Sequence, residues 1–121
     1  MNKQNFLLTI ATLTLSLGLA LTASAETLRG QASYYADSLQ GEKTASGEPY
    51  DNNAMTAAHP TLPFGTVVRV TYLKTGKTAE VTINDRGPHV KNRIIDLSGA
   101  AAQRLGLMDD GVGAVEIEVL K

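Results

Sequence analysis

The chain has 121 residues, with 11 Lys and Arg against 12 Asp and Glu, no Cys and no Trp. Lack of cysteine excludes disulfides and thiolate metal sites, and lack of a basic stripe makes nucleic acid and anionic membranes poor partners. Beyond the first 25 residues, ring stacking on a ligand falls to Tyr34, Tyr35, Tyr50, Phe64 or Tyr72.

The chain opens on Lys3, an apolar run from Phe6 to Leu21 and the small-residue step Ala23-Ser24-Ala25. That order predicts a signal peptide over 1–25, with a run shorter than the roughly 20 residues a membrane span needs. Removing Lys3, the leader's one charge, leaves 10 basic and 12 acidic side chains, a net charge near −2. The remaining 96 residues suffice for one compact domain. No cysteine stands at the cleavage step for a lipid to join. The expectation is therefore a secreted, most plainly periplasmic, soluble monomer with no membrane anchor after signal cleavage.

Leu28 to Tyr35 leans toward β-strand, and Asp37 to Asp51 reads as loop, with Gly41, Gly47 and Pro49 among polar residues. Met55 to Ala58 is a short strand candidate. His59 to Gly65 holds Pro60 and Pro63 and is irregular. Thr66 to Leu73 is a strand rich in Val and Thr, Lys74 to Lys77 a hairpin turn, and Thr78 to Asn84 the return strand. Arg93 to Leu97 adds a strand. Ser98 reads as the N-cap of a short helix that runs to Leu105 and ends at Gly106. Gly111 to Leu120 closes the chain as a strand, Val115, Ile117 and Val119 opposing Glu116 and Glu118. Six short strands, one or two short helices and no tandem βα pattern predict a mainly β domain, a small closed barrel.

Chemistry concentrates at Ile83-Asn84-Asp85-Arg86-Gly87-Pro88. By alternation Asp85 shares the parity of Val81 and Ile83, which aims it along the buried side at the strand's end. A partly desolvated carboxylate there suits proton donation near neutral pH. The bland reading is a turn cap paired with Arg86. Glu48 and Asp51, three residues apart in a Gly-Glu-Pro turn, could face one cleft, or Asp51 could form an Asx-turn. His59 ends an apolar stretch, where a structural histidine is the commoner case. Asp96 has the parity opposite to Ile95 and Leu97, so it is exposed or ties down a loop. Two histidines without thiolates or HxxxH spacing do not suggest a metal, and no Ser sits in a nucleophile elbow. Carboxylate chemistry remains, of which glycoside cleavage is the common extracellular form.

Five ordered motifs sharpen this: Gly30-Gln31-Ala32-Ser33-Tyr34-Tyr35, Thr44 to Asp51, Ala57 to Thr66, Asn84 to Pro88 and Arg93 to Ser98. Together they resemble the rare lipoprotein A (RlpA) family of lytic transglycosylases, over Gly30 to Leu120. The resemblance implies a six-stranded double-psi β-barrel acting on peptidoglycan glycan strands stripped of stem peptides, with no cofactor and no metal. It implies Asp85 as catalytic acid, with Glu48, Asp51 and His59 as further catalytic positions and Tyr34, Tyr35, Tyr50 and Arg86 binding glycan. Glu48 or Asp51 would stabilise charge developing at C1, and His59 would hold Asp85 or a substrate hydroxyl. The chain departs from the pattern in lacking the family's lipidated Cys and C-terminal repeat domain. Ala36, Leu39 and Glu42 stand where Gly, Phe and Arg are usual, and His89 stands for an aromatic. The rival expectation is an expansin-like module that binds glycan without cleaving it.

Overall fold

A computed structural model describes residues 26–121. The predicted signal peptide, 1–25, lies outside the described residues. The strands are β1 (Thr27–Tyr34), β2 (Thr56–Ala58), β3 (Val67–Tyr72), β4 (Thr78–Asp85), β5 (Arg93–Leu97) and β6 (Gly113–Val119), with one helix, α1 (Gly99–Leu105). A single 3-10 turn, Asp37–Leu39, interrupts the long loop after β1. Each strand lies where alternation placed it, within one or two residues.

The strands close a barrel in the order β1-β5-β2-β4-β3-β6. Closure leaves no unpaired edge, which a small cysteine-free β domain needs if it is not to pair with its neighbours. Alternation fills the interior: Val68, Val70, Ala79, Val81, Ile83, Ile95, Leu97, Val115 and Ile117 are all buried. The outer face carries cross-strand charges. Arg69 lies beside Glu118 of β6 at 2.9 Å and Glu80 of β4 at 3.5 Å. These pairs sit at the exposed or half-buried surface and each contributes about 1 kcal/mol or less, so the interior carries the stability.

Helix α1 forms because Ser98 caps it. The Ser98 hydroxyl accepts from Ala101 N–H at 3.3 Å and donates to the Ala54 carbonyl at 2.6 Å. Gly106 ends it in the left-handed region, φ 78°, as the sequence predicts. Small residues on the inner face, Ala101 and Ala102, let the helix lie close against the barrel, with Leu105 completing the contact.

Two parallel pairs, β1/β5 and β2/β4, meet at an antiparallel seam of only two residue pairs, Ala57↔Leu97 and Ala58↔Asp96. All four strands reach this seam by their C-terminal ends. The register slips here: Ala57 pairs with Ile83 but Ala58 pairs with Asp85, leaving Asn84 as an extra residue. Such a bulge re-aims the side chain that follows it.

Ile95 is fully buried beside the seam. Ile95→Ala is expected to destabilise the domain by about 2–5 kcal/mol in urea unfolding, through lost burial and the cavity left behind.

Candidate active site

The bulge overturns the parity expectation for Asp85. Paired residues share a face, so Ser33, Asp96, Ala58 and Asp85 form one row across β1, β5, β2 and β4. Ile95 and Leu97 point inward, so this row lies on the outer face. Alternation was counted along β4 alone, and the extra residue Asn84 reverses it for Asp85. The carboxylate is half-buried by what is laid over it, not by the barrel interior.

Asp85 Oδ1 accepts two main-chain N–H groups, Ala45 at 2.8 Å and its neighbour Arg86 at 2.9 Å. Oδ2 accepts the Tyr35 hydroxyl at 2.5 Å. The Ala45 donor is delivered by the loop Thr44 to Pro49. That loop folds on itself through Thr44 Oγ1 donating to the Glu48 carbonyl at 2.6 Å. It docks on β4 through Ser46 N–H donating to the Asn84 carbonyl at 3.2 Å. The carboxylate lies in a cavity of about 260 Å³ with Tyr35, Leu39, Glu42, Lys43, Thr44 and Tyr50.

Tyr35 and Tyr50 stack with centroids 4.3 Å apart and planes 8° apart. Burial raises the Tyr35 phenol well above the ordinary tyrosine value, with the Asp85 hydrogen bond adding to it, and burial also raises that of Tyr50. Tyr34 is one residue along and points the other way. Its hydroxyl donates to the Met108 carbonyl at 2.8 Å, and its ring packs on the core. Of the three tyrosines expected to bind glycan, two line the Asp85 cavity.

Glu48 is exposed and accepts from Asn84 Nδ2 at 3.2 Å. It lines a second cavity of about 380 Å³, with Phe64, Thr82 and Asn84, separate from the one that holds Asp85. Asp51 is exposed, and its Oδ1 accepts Asn53 N–H at 2.9 Å, an Asx-turn. Arg86 stacks on Phe64, 4.2 Å from the ring centroid, and donates to the carbonyls of Leu62 at 2.8 Å and His59 at 3.2 Å. Asp96, expected to be exposed or to tie down a loop, is half-buried against Arg93 Nε at 3.0 Å. Burial raises its carboxyl above the ordinary value, against the opposing pull of Arg93, and nearby Asp85 adds to the rise.

His59 is buried, and its Nδ1 accepts N–H groups of both Thr61 and Leu62 at 3.1 Å. Nδ1 is thus the acceptor, and burial together with the Arg86 charge lowers the imidazole's affinity for a proton. His59 reaches Asp85 through the main chain, its N–H donating to the Asp85 carbonyl at 3.1 Å. Among the described residues no cluster of His, Cys, Asp or Glu could hold a metal ion.

A histidine held neutral in the fold but free to protonate when unfolded sets a pH dependence. Stability is complete above about pH 6.5, the ordinary histidine value, and falls as pH drops through it, by at most about 1.4 kcal/mol per unit. His59→Asn, whose Oδ1 can accept from the same N–H groups without titrating, is expected to flatten urea-unfolding stability between about pH 6.5 and 5. An unchanged slope would remove His59 as its source.

A family profile described as lytic transglycolase matches residues 27–117. The chain is 59% identical over 88 residues to a probable endolytic peptidoglycan transglycosylase RlpA of Treponema pallidum, covering 73% of this chain and 28% of that protein. It is 54% identical over 92 residues to the endolytic peptidoglycan transglycosylase RlpA of Neisseria meningitidis serogroup A, covering 76% and 38%. The chain thus spans between about a quarter and two fifths of the length of these curated relatives. Among solved structures, the Streptomyces papain inhibitor is similar at TM-score 0.65 and 29% identity, covering 79% of this chain and 96% of that one. The apo expansin of Clavibacter michiganensis shares the fold at TM-score 0.62 and 24% identity, covering 79% and 51%. With the profile spanning most of the sequence, the chain belongs to the lytic transglycolase family, as a double-psi β-barrel domain of the RlpA kind.

Proposed function

We propose that this domain is an endolytic peptidoglycan transglycosylase, cleaving the bond between N-acetylmuramic acid and N-acetylglucosamine and leaving 1,6-anhydro ends. The observation that carries it is the Asp85 carboxylate, fixed by three donors on the floor of an open groove. The relatives named as peptidoglycan transglycosylases support the substrate class. That substrate places the working enzyme outside the cytoplasm, and the periplasm is the compartment we assign. Strands stripped of stem peptides are the proposed preference.

Oδ1 is occupied by two N–H donors, so the transferable proton belongs on Oδ2. Protonated Oδ2 gives that proton to the glycosidic oxygen as the bond to C1 breaks. The muramic C6 hydroxyl attacks C1, and Oδ2 takes the hydroxyl proton, which restores the acid. No water is consumed, so a second carboxylate at hydrolase spacing is not needed. Glu48 faces the neighbouring cavity and is the carboxylate we place against the glycan; Asp51 shapes its loop. His59 and Arg86 hold the 59–64 loop that supports Asp85. Tyr50 and Lys43 give the groove an apolar floor and a cationic wall.

The test is incubation with intact and peptide-stripped strands, followed by mass spectrometry for 1,6-anhydromuramic ends. Wild type is expected to form them, and Asp85→Asn to do so about 10²–10⁴-fold more slowly. Reducing ends would indicate a hydrolase. Co-sedimentation without cleavage would favour a binding module, and full activity in Asp85→Asn would remove that residue from the mechanism.

A further inference from the structure

We propose that Tyr35 is the positioning residue of this reaction, aiming the proton-carrying oxygen of Asp85 from a ring that the start of α1 holds in place. The reaction rests on the transglycosylase reading above; the geometry does not.

Adjacent tyrosines divide the work. Tyr34 ties β1 to the Met108 carbonyl, and Tyr35 turns to the opposite face, where its hydroxyl meets Asp85 Oδ2 at 2.5 Å. With Oδ1 locked by two N–H groups, Tyr35 is the one described donor on the oxygen left for chemistry. A protonated Oδ2 can still accept from Tyr35 while it donates to substrate, so the contact persists through the cycle.

The ring beneath is itself braced. Tyr50 lies parallel to Tyr35 and is 2% exposed. Its hydroxyl donates to Asn52 Oδ1 at 2.9 Å and accepts the Gly99 N–H at 3.0 Å. The Asn52 carbonyl in turn accepts Ala100 N–H at 3.0 Å. Gly99 is required by this packing, since a Cβ there would stand 2.2 Å from Asn52 Oδ1. An unbroken line of contacts therefore runs from the first turn of α1, through Asn52, Tyr50 and Tyr35, to the carboxylate.

If the two rings only filled space, the Tyr35 hydroxyl would be idle and phenylalanine would serve as well. The charged groups around Asp85 and Tyr35 are Asp96 and Arg93 from β5, Glu42 and Lys43 from the loop, and Arg86 beside Asp85 in the chain. None of these is altered in Tyr35→Phe.

Wild type, Asp85→Asn, Tyr35→Phe and Tyr50→Phe are compared on peptide-stripped strands. In parallel, the Asp85 carboxyl carbon resonance of wild type and Tyr35→Phe is compared by NMR at one pH, which needs no turnover. Tyr35→Phe is expected to lose about 10–100-fold in kcat, with KM changed less than about two-fold. Its Asp85 carboxyl carbon resonance is expected to move, because the hydrogen bond to Oδ2 has gone. Tyr50→Phe, which keeps the stack and loses the anchor, should fall between it and wild type. Wild-type kcat and an unmoved Asp85 resonance in Tyr35→Phe would overturn the proposal. If wild type forms no anhydro ends, the transglycosylase reading falls, and the NMR comparison still decides whether Tyr35 holds Asp85.

Discussion

The structure turns on a seam of two residue pairs, where β2 meets β5 between two parallel strand pairs. A barrel needs that junction to close, yet the four strands that meet there all end there. Short pairing leaves their C-terminal ends free to feed loops across the outer face. The bulge at Asn84 then places Asp85 in the same outward row as Asp96 and Ser33. Closure provides the rigidity, and the incomplete pairing provides the opening, so one junction serves both stability and the placing of Asp85.

Around that junction, main-chain groups do much of the positioning. Ala45 and Arg86 reach Asp85 with N–H groups, and His59 and Leu62 offer carbonyls to Arg86. The Arg86 charge is absorbed by those carbonyls and the Phe64 ring, so it steadies a loop beside the groove. His59 acts alike, taking two N–H groups on one nitrogen. Side chains that look catalytic by type are in several cases joints of the scaffold.

The strands were legible because each buries one face, and alternation records burial directly: Val68 and Val70, Ala79 to Ile83, Val115 and Ile117. Ser98 and Gly106 bounded α1 for local reasons, a hydroxyl for an N–H and a residue that tolerates positive φ. The orientation of Asp85 was not legible. Register belongs to a pair of strands, and nothing along β4 announces that Ala58 opposes Asp85 rather than Asn84. The Glu48–Asn84 contact was hidden for the same reason, since it joins segments far apart in sequence, and the Tyr35–Tyr50 stack depends on the path of the irregular loop between them. The motifs named the candidate residues; which of them meet at the Asp85 cavity and which brace the loops needed coordinates.

The partners of Asp85 come from far along the chain: Tyr35 is 50 residues away and Ala45 is 40. Contacts of such separation form late, after the entropy of closing long loops has been met. The acid therefore has no assembled surroundings in a nascent or partly folded chain, and the groove comes into being with barrel closure. The cavity around Asp85 is thus a product of the finished topology: the residues that form it lie scattered along the chain until the strands that carry them close.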